Sequence, residues 1–260
     1  MSGVRVDGSA GDVDYGEIGG GYRAYRQPEP AIQRAISEAL SGSRTVLNVG
    51  AGAGSYEPVE REVTPVEPSE TMRAQRPPHL MAAINAYVED LPFADNEFDA
   101  AMTTFSVHQW GDLEAGLAEL RRVTRGPVVI LTCDPDLLGR FWLNDYAPEV
   151  IEAEASRYPS PRRVAELLGG DTSIRPVPIP LHCVDRFGEA YYGRPELLLD
   201  PGARRANSAW SFVGPQVHER FERTLRVDLD SGTWDERYGW LRRQAFFDGS
   251  LVLITALPGE

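Results

Sequence analysis

Thr45-Val-Leu-Asn-Val-Gly-Ala-Gly-Ala-Gly54 is the stretch whose reading decides the fold. Its first five residues are short and almost continuously apolar, as in a strand buried on both faces of a parallel sheet. The glycines at 50, 52 and 54 then allow a tight turn and let the backbone approach a ligand with no Cβ in the way. A dinucleotide loop wants its third glycine at the sixth place, where this chain has Ser55. The spacing here suits a nucleoside with no pyrophosphate to cradle. Glu67 ends a second strand, Glu62 to Glu67, at a position from which a carboxylate can accept both hydroxyls of a ribose. Pro65 cannot donate to a ladder, so that strand is expected at the margin of the sheet.

Working outward, Ile32, Ala35, Ile36, Ala39 and Leu40 recur at helical spacing before β-branched residues begin, which predicts a first helix between Pro28 and Leu40. The interval from Ser55 to Arg61 leaves room only for a stunted helix. Ser69 caps a further helix that ends before Pro77-Pro78. Ala82 to Val88, Phe98 to Phe105 and Pro127 to Thr132 read as the third to fifth strands, with an amphipathic helix over Asp112 to Val123. Strands alternating with helices predict a doubly wound, mostly parallel α/β sheet. After Asp134 the patterning is mainly helical, interrupted by a strand near Ile174 to Ile179 and closed by a strand over Leu251 to Ala256. Residues 181–245 are too long for one crossover and read as a helical cap that binds an acceptor. The core is then 22–180 with 246–260, preceded by a flexible segment over 1–21, where seven residues are glycine.

Three motifs in order carry a resemblance: Val46-Leu-Asn-Val-Gly-Ala-Gly-Ala-Gly54, Val66-Glu-Pro-Ser-Glu-Thr-Met72 and Glu89-Asp-Leu-Pro-Phe-Ala-Asp-Asn-Glu-Phe-Asp99. Together they resemble the class I S-adenosylmethionine-dependent methyltransferases, in the ubiquinone/menaquinone-methyltransferase-like (methyltransferase type 11) branch. The resemblance implies a Rossmann-like seven-stranded sheet whose last strand is antiparallel, and S-adenosylmethionine as cofactor with S-adenosylhomocysteine as product. It implies that Asn48, Gly50, Ala51 and Gly52 hold the methionine and ribose portions. Glu67 would bind the ribose, Pro68 and Met72 the adenine, and Val88, Glu89 and Asp90 the adenine edge. Thr104 and Phe105 would border the methyl sulfonium. Tyr22 and Arg26 stand where related enzymes close a lid, the arginine meeting the methionine carboxylate. Asn48 departs from the family's usual acidic residue, and Tyr87 stands where an adenine-binding aspartate often lies.

His108 follows the fourth strand at the sheet's carboxyl edge and is the candidate base for an acceptor that carries a proton. Trp110, His182, Asp185, Tyr191 and Tyr192 are candidates for the acceptor pocket, since they bring together an imidazole, a carboxylate and aromatic rings. Cys133 and Cys183 lie fifty residues apart in no zinc-binding spacing, so no metal is expected. With 26 basic residues against 39 acidic ones, the net charge of −13 argues against a nucleic-acid substrate and for a small-molecule acceptor. No run of about 18 apolar residues and no apolar leader occur, so neither a membrane span nor a signal peptide is expected, and the protein is expected in the cytoplasm. A nicotinamide-dependent oxidoreductase shares the strand, glycine loop and acidic residue. A non-catalytic cofactor-binding module would share all of the motifs.

Overall fold

A computed structural model describes residues 22–259, except the side chain of Tyr22; the segment over 1–21 lies outside the described residues. The strands are β1 (Thr45–Val49), β2 (Glu62–Val66), β3 (Ala100–Thr104), β4 (Val128–Cys133), β5 (Asp171–Pro176), β6 (Ile179–Pro180), β7 (Phe246–Phe247) and β8 (Leu251–Leu257). Six of them form one sheet in the order β2-β1-β3-β4-β8-β5, and β6 pairs with β7 in a small separate ribbon. β2, β1, β3 and β4 run parallel, whereas β8 is antiparallel to both of its neighbours.

Among the described residues the sheet has six strands rather than the expected seven. The third strand anticipated over 82–88 is reduced to one parallel bridge between Val66 and Ile84. Two backbone hydrogen bonds hold that bridge, and Ile84 remains 38% exposed, so the segment lacks the buried face that would extend the pairing. β2 therefore sits at the sheet's edge, as Pro65 requires.

Alternation along the strands divides the apolar residues between two faces. Leu47 and Val49 of β1, with Val128 and Ile130 of β4, pack under the helices Leu113–Val123 and Pro161–Leu168. Val46 and the intervening Val129, Leu131 and Cys133 join a larger cluster on the other face, which takes in the helix Pro30–Ala39 and most of the chain after Asp134. Trp142, Tyr191, Tyr192, Trp210, Phe221 and Trp234 belong to that cluster, so the late helices are continuous with the sheet's own core. Among the described residues no helix is long and apolar enough to cross a membrane.

Residues 50–61 contain no helix, only turns, so even the stunted helix expected after β1 does not form. A buried polar cluster occupies this flank instead. Arg76 pairs with Glu57 at 2.9 Å, both side chains being 4% exposed, and Glu57 accepts a hydrogen bond from Asn48 Nδ2 at 3.0 Å. Arg76 also donates to the carbonyls of Gly52 and Met81, which ties the glycine loop to the segment after the helix Glu70–Ala74.

Asp99 fixes the start of the sheet. Its carboxylate accepts from the backbone N–H groups of Arg44 and Thr45, each at 2.9 Å, and pairs with Arg125. These hydrogen bonds hold its carboxyl well below the usual carboxylate range. The stabilisation is therefore fully present above that range and is lost as pH falls through it. Asp99→Ala is expected to lower stability by about 1–3 kcal/mol at neutral pH by leaving two backbone donors unpartnered, and to have a smaller effect under strongly acidic conditions. Denaturant unfolding at both pH values checks this.

Candidate active site

Two cavities meet at the carboxyl ends of β1, β3 and β4. The first encloses about 870 Å³, part of it open to solvent, and is lined by the glycine loop, Glu67, Pro68, Met72, the segment from Ala86 to Glu89, and Thr104 to Ser106. The second spans about 790 Å³, also partly open to solvent, and is walled by Phe105, Phe141, Tyr158, Phe187 and Trp210. Arg26 and Phe105 line both, so they form the partition.

The glycine loop is shaped by its backbone. Gly50, Gly52 and Gly54 have φ of +64°, +51° and +93°, a region that favours glycine. A Cβ on Gly50 would lie 1.9 Å from Ser106 Oγ. Gly50→Ala is thus expected to cost about 1–3 kcal/mol and to lower Tm by roughly 2–10 °C, with weakened cofactor binding. Gly188→Ala, where a Cβ meets nothing within 4 Å, is the control in the same thermal melt and is expected to change little.

Glu67 is 7% exposed and organises the cavity floor. One carboxylate oxygen accepts from Gly52 N–H at 2.8 Å and the other from Ser69 N–H at 2.9 Å. Burial raises its pKa, against these hydrogen bonds and the nearby Arg73 and Arg76. Each oxygen retains acceptor capacity, since an ionised carboxylate offers about four lone-pair sites. Met72 is buried behind the loop, and a Cβ at Gly52 would touch its terminal methyl at 3.4 Å. Glu89 lines the cavity and accepts from the N–H groups of Gly111 and Asp112, which docks the start of the helix Leu113–Val123. Val88 is buried beside it. These features fit an adenosyl group: a cradle that a Cβ would fill, an apolar slot at Met72 and Val88, and a carboxylate with acceptor capacity left.

The partition is strained and charged. Phe105 has φ +52°, which a bulky residue rarely adopts, and strain of this kind concentrates at binding sites. The Arg26 guanidinium sits 5.0 Å from its ring centroid and pairs with Asp185 at 2.5 Å. Asp185 also accepts from the Tyr56 hydroxyl at 2.7 Å, and burial, together with that carboxylate, pushes the phenol's pKa well up. Glu29 accepts from Val184 N–H at 2.9 Å, so the chain before the first long helix is stitched to residues 183–187.

His108 lies in the 3-10 turn Val107–Gln109 and lines the second cavity. Its ring centroid is 4.2 Å from that of Tyr158. Its Nδ1 is buried with no hydrogen-bond partner among the described residues. Burial, and then the charges of Arg157 and Arg26, depress its pKa well below the usual histidine value, so the imidazole is neutral at pH 7.

Several expected positions differ. Asn48 is 1% exposed and bonded to Glu57, beneath the loop rather than on the cavity wall, because β1 turns that side chain toward the helix-free flank. Asp90 is exposed and off the wall, whereas its neighbours Val88 and Glu89 line it. Trp110 lines the first cavity, not the second, held there by a hydrogen bond from its Nε1 to Ser106 Oγ at 3.1 Å. Asp185 lines the first cavity as the partner of Arg26. His182 points outward because exposure alternates along the extended turn, with Cys183 and Asp185 buried and His182 and Val184 exposed. Tyr191 and Tyr192 are core residues. Tyr192 stacks on Phe247 at 5.0 Å and donates to the carbonyl of Gln244, and neither Tyr191 nor Tyr192 lines either of these two cavities. Tyr22 contributes backbone to the helix Tyr22–Tyr25.

Sequence reasoning did not select Tyr56, Tyr158, Phe187 or Trp210 for the site. Their placement depends on contacts far apart in the chain, and only Phe187 stood in a segment already singled out for its chemistry. Among the described residues no group of three His, Cys, Asp or Glu could hold a metal ion.

Comparison with known proteins bears on the fold and the domain. A family profile described as a methyltransferase domain matches residues 47–131. A solved structure assigned as a methyltransferase from an antibiotic biosynthesis pathway in Anabaena variabilis ATCC 29413 superposes with a TM-score of 0.83 at 29% identity, covering 89% of this chain and 98% of that one. An S-adenosylmethionine-dependent enzyme of Thermotoga maritima, named as a possible histamine N-methyltransferase, gives 0.55 at 16% identity over 93% and 95% of the two chains, a likeness of fold. A demethylmenaquinone methyltransferase of Corynebacterium kroppenstedtii is 44% identical over 45 residues, 17% of this chain and 20% of that protein. The chain thus spans about a fifth of the length of the curated relatives it matches. Residues 47–131 thus form a methyltransferase domain, and the chain has the Rossmann-like fold of the class I, S-adenosylmethionine-dependent methyltransferases.

Proposed function

We propose that the protein transfers a methyl group to a small organic acceptor held in the second cavity, with His108 as the base. The observation that carries this reading is the shared partition. The cavity suited to an adenosyl group meets a separate aromatic cavity at Phe105 and Arg26, and the latter is lined by the neutral imidazole of His108. When bound, S-adenosylmethionine supplies an electrophilic methyl on a sulfonium.

The chain's residues do the rest. Glu67 accepts the ribose hydroxyls, with Gly52 and Ser69 fixing its orientation. Val88, Glu89, Trp110, Pro68 and Met72 enclose the base, and Arg26 offers its guanidinium toward the carboxylate end. The aromatic walls exclude water and align the acceptor, which is the main contribution a protein makes to an in-line displacement. His108 takes the proton of an acceptor O–H or N–H at its imidazole. The region 181–245, which contributes Phe187, Glu189 and Trp210 to the wall, acts as an acceptor-binding cap. A small acceptor also suits a chain of net charge −13 and its similarity to an antibiotic-pathway protein.

The test is methyl-labelled S-adenosylmethionine supplied with a small-molecule extract, an unfolded protein mixture or bulk transfer RNA. Label is expected in the small-molecule fraction. Label only in protein or RNA would contradict the acceptor class.

A further inference from the structure

The wall of the second cavity carries a buried carboxyl group, Glu189, with no counter-ion among the described residues. Glu189, in the 3-10 turn Gly188–Tyr191, is 3% exposed and lines the cavity. Its carboxylate accepts from Ser250 N–H at 2.9 and 3.1 Å and from Ser250 Oγ at 2.6 Å. These are neutral donors, and no cation lies within ion-pair distance of Glu189 among the described residues. Burying a carboxylate on these terms is costly unless a cation completes the site.

The remaining ionisable groups of the wall do not supply one. Arg26 is balanced by Asp185, His108 is neutral, and Glu154, which has Arg157 at 3.8 Å, adds a second carboxylate. Cys133 and Tyr158 are held in their neutral forms by burial. The Glu189 end of the cavity thus brings two carboxyl groups together, Glu189 and Glu154, while the charges of Arg157 and Arg26 act on the His108 end, and aromatic faces come from Phe105, Phe141, Phe187 and Trp210. Ring faces attract cations, and the attraction grows when the cation is desolvated.

We propose that the acceptor carries a protonated amine, which Glu189 receives within this aromatic enclosure. The inference rests on the reading of the second cavity as the acceptor site. It concerns binding of the amine as an anchor and leaves the methylated atom unassigned. Burial and the facing Glu154 push the Glu189 pKa to about 7, against the bonds from Ser250. An amine that stays protonated across the range therefore binds better as pH rises from 6 to 8, because Glu189 ionises.

The experiment uses the full-length protein saturated with S-adenosylhomocysteine and titrates 2-phenylethylamine, 2-phenylethanol and 3-phenylpropionate, which are close in size. The amine is expected to bind at least about tenfold tighter than the other two. Its affinity is expected to rise between pH 6 and 8. In Glu189→Gln, which retains an acceptor for Ser250, both the preference and the pH dependence are expected to vanish. Comparable binding of the alcohol or the acid, a preference that survives Glu189→Gln, or no binding by any of the three would overturn the proposal. The preceding cofactor titration separates the two levels: failure to bind S-adenosylhomocysteine overturns the methyltransferase reading itself, while cofactor binding without an amine preference overturns only this inference.

Discussion

His108→Ala is expected to lower methyl transfer by about 10²–10⁴-fold, the usual contribution of a positioned general base, while the cofactor dissociation constant stays nearly unchanged. The separation follows from geometry, since His108 lines the second cavity and not the first. His108→Gln keeps a hydrogen-bonding side chain of similar reach without a base of the right strength, so it is expected to resemble the alanine variant in kcat. The pH dependence adds a second signature. The imidazole's pKa is depressed by burial and by Arg157 and Arg26, so protonation that would disable the base begins only well below the usual histidine value. The wild-type kcat should accordingly lack an inflection near pH 6.5. A full-strength alanine variant, measured under single-turnover conditions, would reduce His108 to a packing partner of Tyr158.

Glu67→Ala is expected to weaken binding of S-adenosylhomocysteine by roughly 10–100-fold, corresponding to charged hydrogen bonds worth about 1.5–3 kcal/mol. Two losses combine. The ribose hydroxyls lose their acceptor, and the N–H groups of Gly52 and Ser69 lose the carboxylate that sets the loop and the cap of the helix Glu70–Ala74. Because burial raises the pKa of Glu67, the wild-type affinity should fall as pH drops toward the carboxylate range, beginning above the pH at which an ordinary glutamate would protonate. Glu67→Gln should flatten that dependence and keep part of the affinity. Calorimetry across pH measures both effects, and equal dissociation constants for wild type and Glu67→Ala would remove the ribose assignment.

Local signals account for what the sequence revealed. The apolar run 45–49 followed by glycines at positive φ needs no distant partner to be recognised, and it places the first cavity. Pro65 announced an edge strand, and Ser69 caps the helix that begins after it. The segment 82–88 shows where the local reading fails: it was read as a third strand, but the pairing stops at Ile84, where no buried face supports it.

The second cavity was much less legible. His108 meets Tyr158 across fifty residues and Glu189 meets Ser250 across sixty-one, contacts that no local pattern encodes. In the segment 182–192, composition drew attention to the wrong members. Alternation turns His182 outward, and the 3-10 turn puts Tyr191 and Tyr192 into the core, leaving Phe187 and Glu189 on the wall. Trp110, read as an acceptor contact, was captured by Ser106 and faces the cofactor cavity. Arg26 was anticipated at the cofactor, but its pairing with Asp185, 159 residues away, was not.

The account depends most directly on the identity of the ligand in the first cavity. Calorimetric titration of the purified protein with S-adenosylhomocysteine, beside NAD and NADP under the same conditions, measures it. Saturable one-to-one binding of S-adenosylhomocysteine, with no heat from either nicotinamide, is the predicted result. Binding of a nicotinamide cofactor alone would contradict the assignment of the glycine loop and Glu67, and with it the role given to His108.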